Sequence, residues 1–89
     1  MPTGKVAMAR KRATERVMLR KEETWEMLRQ RNWSQGDLAR AAGLTPGHVS
    51  LLFNWERSPS PSARRSIQAA LGVDDFDALF IVVKADDDE

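Results

Sequence analysis

The 89-residue sequence has no cysteine and a single histidine. Disulfide staples are therefore excluded, and so is a conventional zinc site, which draws its ligands from Cys and His. No apolar run approaches the ~20 residues that a membrane span requires. The start lacks the continuous apolar stretch of a signal peptide, so a cytoplasmic, nucleoid-associated location with no membrane partner is expected. There is no Ser/His/Asp or paired-carboxylate constellation with usable spacing, and no Gly-rich phosphate loop. So small a domain also leaves little room for a substrate cavity. The expectation is a non-enzyme with no catalytic residue, no cofactor and no metal.

What is present is one small domain, able to bury roughly 60–65% of its unfolded surface. Its net charge of +1 conceals an asymmetry. Residues 1–65 hold 13 of the 14 Lys/Arg but only 6 of the 13 Asp/Glu, whereas residues 66–89 hold one Lys and seven acids. A basic body with an acidic end fits a polyanion-binding surface and a separate end turned away from it.

Residues 1–11 carry Pro, Gly and clustered positive charge without periodicity, and read as a flexible basic arm. From about Arg12 to Arg31 there is no Gly or Pro, and Val17, Met18, Trp25 and Leu28 fall on one helical face. Glu22, Glu23 and Glu26 alternate with Arg20, Lys21 and Arg29 on the other side. Ser34 can cap a second helix, with Asp37 completing a capping box; Leu38, Ala39 and Ala42 face inward and Gly43 ends it. Thr45 caps a third helix with Pro46 at its first position, and Val49, Leu52 and Phe53 form its apolar stripe. SPSPS (58–62) is a rigid connector. Ser60 caps a fourth helix with Ile67, Ala70 and Leu71 inside, closed by Gly72. Asp74 caps a fifth, with Phe76, Leu79 and Phe80 apolar. The expected fold is all-α: five helices with a basic N-terminal extension, a domain over 12–83 and an acidic tail over 84–89.

Gln35, Leu38, Ala39, Gly43, Val49 and Leu52 have mechanical content of their own. Ala39 is small where two helices cross closely, Gly43 makes the tight turn, and Val49 and Leu52 pack the third helix onto the second. These spacings are those of a helix-turn-helix over about residues 35–54. "WSQGDLARAAGLTPGHVSLLF" resembles the helix-turn-helix of the lambda-repressor/Cro family, and "VSLLFN" followed by "LGVDDFDALF" extends the likeness over about residues 25–80. The resemblance implies a compact five-helix domain that binds double-stranded DNA as a two-fold homodimer and regulates transcription, as a repressor on a palindromic operator. Through it, Gln35 matches a phosphate contact that buttresses the recognition helix 46–54. Thr45, Pro46, Gly47 and His48 match that helix's leading edge, with Ser50 and Leu51 one turn on. Asn54 matches a backbone contact after the helix, and Arg57 sits where the following loop reaches a base or phosphate.

The residues themselves qualify this picture. Pro46 and Gly47 stand where the family more often carries side chains that pair with base edges, so Thr45-Pro46-Gly47 reads as a start signal that lets backbone lie near DNA. Base-edge reading then falls to Thr45, Gly47, His48, Ser50 and Leu51, with Leu51 pressing on a thymine methyl or packing in the core. Gln35, Asn54 and Arg57, with Arg10, Lys11 and Arg12 of the arm, are the phosphate candidates; Arg16, Arg64 and Arg65 are weaker ones. Trp55 replaces a small residue or glycine common after the recognition helix. Trp25, Trp33 and Trp55 could stack on bases, but Trp25 and Trp33 read as core. Finally, Phe80, Ile81, Val82 and Val83 either end helix five and pack on helix one, or form a β-rich edge for a dimer contact. A competing reading is an antitoxin-like interaction module that binds another protein through this apolar segment.

Overall fold

The computed structural model describes residues 15–84. The arm over 1–11, with its candidates Arg10 and Lys11, then Arg12 and the acids 86–89, lie outside the described residues. Within them the order is β1 (Glu15–Leu19), α1 (Lys21–Arg31), α2 (Gln35–Ala42), α3 (Pro46–Phe53), α4 (Pro61–Leu71), α5 (Phe76–Leu79) and β2 (Phe80–Lys84).

The expected all-α class is corrected by the two strands, which form an antiparallel ribbon. The register pairs Leu19 with Phe80, Met18 with Ile81, Val17 with Val82, Arg16 with Val83 and Glu15 with Lys84. Of the helix expected over 12–31, the described Glu15–Leu19 is therefore strand, and the helix runs only over Lys21–Arg31. The physical reason lies some 60 residues downstream. Three consecutive β-branched residues, Ile81–Val83, favour extended backbone and need a partner for their N–H and C=O groups. β1 supplies that partner, and the facing Leu19 and Phe80 are both fully buried at the ribbon's base. Phe80 is thus committed to the chain's own core, and the expected edge at 81–83 is paired within the chain along one side.

Arg20 holds the junction. Its Nε donates to the carbonyls of Asp77 (2.8 Å) and Phe80 (3.2 Å), and its backbone N–H to the Leu79 carbonyl at 2.7 Å. The Arg20 carbonyl in turn accepts from the backbone N–H and the hydroxyl of buried Thr24. Arg31 ties the other end of α1 to α4 by donating to the Leu71 carbonyl at 2.6 Å.

The remaining helices follow the local signals. Ser34, Thr45 and Ser60 each cap a helix by accepting a backbone N–H from three residues on. The fifth helix differs: Asp75, not Asp74, is its cap, and it is a single turn. Leu28, Leu38, Ala39, Val49, Leu52, Phe53, Ile67, Leu71 and Leu79 join Leu19 and Phe80 in one core. Trp25 packs edge-on against Phe53, with ring centroids 5.2 Å apart, and Trp33 lies half-buried against the same core. Both are structural rather than free for stacking. Arg64, half-buried on α4, sits over the Phe76 ring at 5.8 Å.

Candidate nucleic-acid interface

The geometry that presents α3 begins with α2. The Ser34 hydroxyl accepts from the Asp37 N–H at 3.1 Å, and the Asp37 carboxylate accepts from the Ser34 N–H at 2.8 Å, a reciprocal box. That Ser34 backbone bond holds the Asp37 carboxyl below its ordinary range, aided by the Ser34 hydroxyl and by Arg40 and opposed by desolvation. The start of α2, where Gln35 lies half-buried, is therefore firmly placed. At the far end Gly43 adopts φ +71°, a left-handed geometry that glycine reaches without the Cβ penalty. Ala39 and Val49, both buried, let α2 and α3 meet closely.

This packing turns one edge of α3 outward. Val49, Leu52 and Phe53 are buried, while Thr45, Pro46 and Gly47 are exposed and His48, Ser50 and Leu51 are half-buried. Leu51 is not among the half-buried apolar side chains that pack on the core, which favours the outward reading of that residue. Thr45 Oγ1 accepts from the His48 N–H at 3.1 Å. Its hydroxyl proton remains available to donate elsewhere. A Cβ built on Gly47 would meet nothing within 4 Å, so no contact inside the fold demands glycine there. Asn54 and Arg57 lie exposed just beyond the helix. The structure thus brings Gln35, Thr45, Gly47, His48, Ser50, Leu51, Asn54 and Arg57 onto two adjoining helices and one loop. Arg16 stands apart, exposed on β1, and Arg64 and Arg65 stand on α4.

The model of the helix-turn-helix family matches residues 26–76, which covers α1 from its middle through α4 and the first residue of α5. The chain belongs to the helix-turn-helix family, of the lambda-repressor/Cro type. Membership makes it a DNA-binding module of the transcription-regulating kind. This helix-turn-helix chain shares its fold with transcriptional regulator VanUg. The likeness has a TM-score of 0.61 at 19% identity and covers 81% of this chain and 91% of the other. No curated protein matches the sequence. Both strands of the ribbon fall outside the family match, so the helix-turn-helix carries an addition built from its own two flanks.

Sequence reasoning passed over how Trp55 is held. It has φ +60°, and its indole N–H donates to the Leu19 carbonyl at 2.6 Å. A left-handed conformation costs a non-glycine residue about 1–2 kcal/mol. The signal was available: a bulky aromatic at the position the family gives to a small residue.

Proposed function

We propose that the chain is a sequence-specific transcriptional repressor that binds a palindromic operator as a homodimer, with recognition helix 46–54 in the major groove. The observation that carries this reading is the outward leading edge of α3, where a capped N-terminus, small side chains and His48 lie together. Thr45, His48 and Ser50 offer hydrogen-bond donors and acceptors to base edges, and Leu51 offers apolar contact to a thymine methyl. Gly47 lets backbone lie close to DNA. Gln35, Asn54 and Arg57, together with Arg10, Lys11 and Arg12, grip phosphates without regard to sequence. Ile81, Val82 and Val83 are the proposed dimer surface, since Val82 is 48% exposed and, among the described residues, no strand pairs with the outer edge of β2.

Selection of bound duplexes from a random pool tests the whole reading. A palindrome with half-sites about one helical turn apart is expected. Arrival at a single unrepeated half-site would refute the dimer, and no enrichment would refute sequence-specific binding. His48→Ala should change the selected sequence while leaving affinity for random DNA nearly intact.

Exposed Val82 would equally suit a second reading, an antitoxin-like module that binds another protein through the same ribbon. Because 81–83 pair with β1, deleting them would remove the strand's partner as well. Val82→Glu is the cleaner variant. Loss of a co-purifying second protein with an unchanged self-association state would favour the module; loss of self-association would favour the homodimer.

A further inference from the structure

Four helices of this chain end in the same way. Asn32, Gly43, Trp55 and Gly72 follow α1, α2, α3 and α4 with φ of 58°, 71°, 60° and 69°. At each end two backbone N–H groups turn back onto the helix. At α3 they are Trp55 N–H to the Leu52 carbonyl at 3.2 Å and Glu56 N–H to the Leu51 carbonyl at 2.9 Å. This is the Schellman arrangement, and its left-handed position ordinarily takes Gly or Asn. Three of the four ends obey, and the fourth, directly after the recognition helix, holds the bulkiest side chain available.

Nothing local favours tryptophan there, so what retains it is tertiary. The residue is 45% exposed, so its ring is only partly covered. Its indole N–H reaches the Leu19 carbonyl at the base of β1, at 2.6 Å. Ser58, three residues on, donates to the Met18 thioether at 3.3 Å, tying the same loop to the same strand. Arg57 lies between these two anchors, and Asn54 lies beside the first. Both are exposed, and neither side chain has a hydrogen-bond or ion-pair partner among the described residues.

We propose that Trp55 is a positioning residue for DNA binding: anchored on the Leu19 carbonyl, it locks the 54–58 loop against the ribbon so that Asn54 and Arg57 meet the DNA backbone already in place. This rests on the DNA-binding reading above. A loop held in place beforehand loses less conformational freedom on binding, and that difference appears as affinity. Strain at such a site is tolerated because the surrounding structure enforces it. The ribbon thereby contributes to the interface without touching DNA.

The experiment compares full-length protein with Trp55→Gly, Trp55→Phe, Arg57→Ala and the Trp55→Gly/Arg57→Ala double variant. Affinity for a random-sequence duplex is measured across a salt series, and each protein is melted thermally. Trp55→Gly removes both strain and anchor, and glycine suits the left-handed position, so the helix end and the fold survive. Its affinity should fall roughly tenfold, and its log–log salt slope should flatten by about 0.9 for each phosphate that the released loop no longer neutralises. Trp55→Phe, which keeps an aromatic ring but not the donor, should weaken binding in the same direction. Arg57→Ala should weaken the wild-type background but have little further effect on Trp55→Gly. A Trp55→Gly protein that binds with wild-type affinity and slope would overturn the proposal. So would fully additive losses in the double variant, which would make Trp55 an independent binding residue. A flat slope in the wild type would instead overturn the DNA-binding reading, and this inference with it.

Discussion

Gly47 offers a test in which stability and binding move in opposite directions. It sits in the first turn of α3, and an added Cβ would meet nothing within 4 Å. Alanine is the better helix former by about 0.5–1 kcal/mol, so Gly47→Ala should raise the melting temperature slightly. If backbone at this point lies against DNA, the same methyl should reduce affinity for every duplex. Calorimetry beside a binding titration reads both, and unchanged affinity would remove Gly47 from the interface. Asp37 supplies a pH signature. Its folded carboxyl titrates below the ordinary value of 3.8, so the bonded carboxylate adds stability that is complete above the unfolded pKa. That stability is lost as pH falls from about 4 through the depressed folded value. Asp37→Asn should flatten this acid limb of the stability curve, and an unaltered limb would mean that other carboxylates dominate it.

The ribbon is the element that most changes how the fold holds together. Leu19 and Phe80 face each other, fully buried, and they close the core beneath α5 and the loop after α3. Phe80→Ala should cost about 3–5 kcal/mol, the range for a buried aromatic truncated to alanine. Chemical denaturation monitored by tryptophan fluorescence measures it; a cost below about 1 kcal/mol would mean the ribbon is dispensable to the core. At the exposed tip the opposite holds. Glu15 and Lys84 are 3.9 Å apart with both side chains largely in solvent, a pair of the kind that contributes little. Stability is therefore concentrated at the base of the ribbon, while Val82 nearer the tip is exposed.

Over the whole molecule, charge and topology meet at that tip. Because Glu15 pairs with Lys84, the first and last described residues lie side by side. Of the basic excess over residues 1–65, four charges (Lys5, Arg10, Lys11 and Arg12) precede Glu15. The helical body is close to neutral by comparison. Removing residues 1–12 should leave the melting temperature nearly unchanged and flatten the log–log salt slope by about 0.9 for each phosphate the arm neutralises. A slope that does not move would take Arg10, Lys11 and Arg12 out of the interface. The parts legible in the sequence were those written in neighbouring residues. Ser34 with Asp37, Thr45 with Pro46, Gly43 and Gly72 mark helix ends by the backbone bonds and angles that such side chains satisfy best, and the apolar spacing of α2 to α4 follows. Those signals were sufficient for the helix-turn-helix and for which edge of α3 faces outward. Two features were decided only by the tertiary structure. Residues 15–19 have no breaker and pass for helix until Ile81–Val83 require a strand partner. Trp55 has no local reason for its place until the Leu19 carbonyl comes within reach of its indole. Each depends on residues separated by 36 positions or more, and no local rule of propensity or spacing contains such a distance.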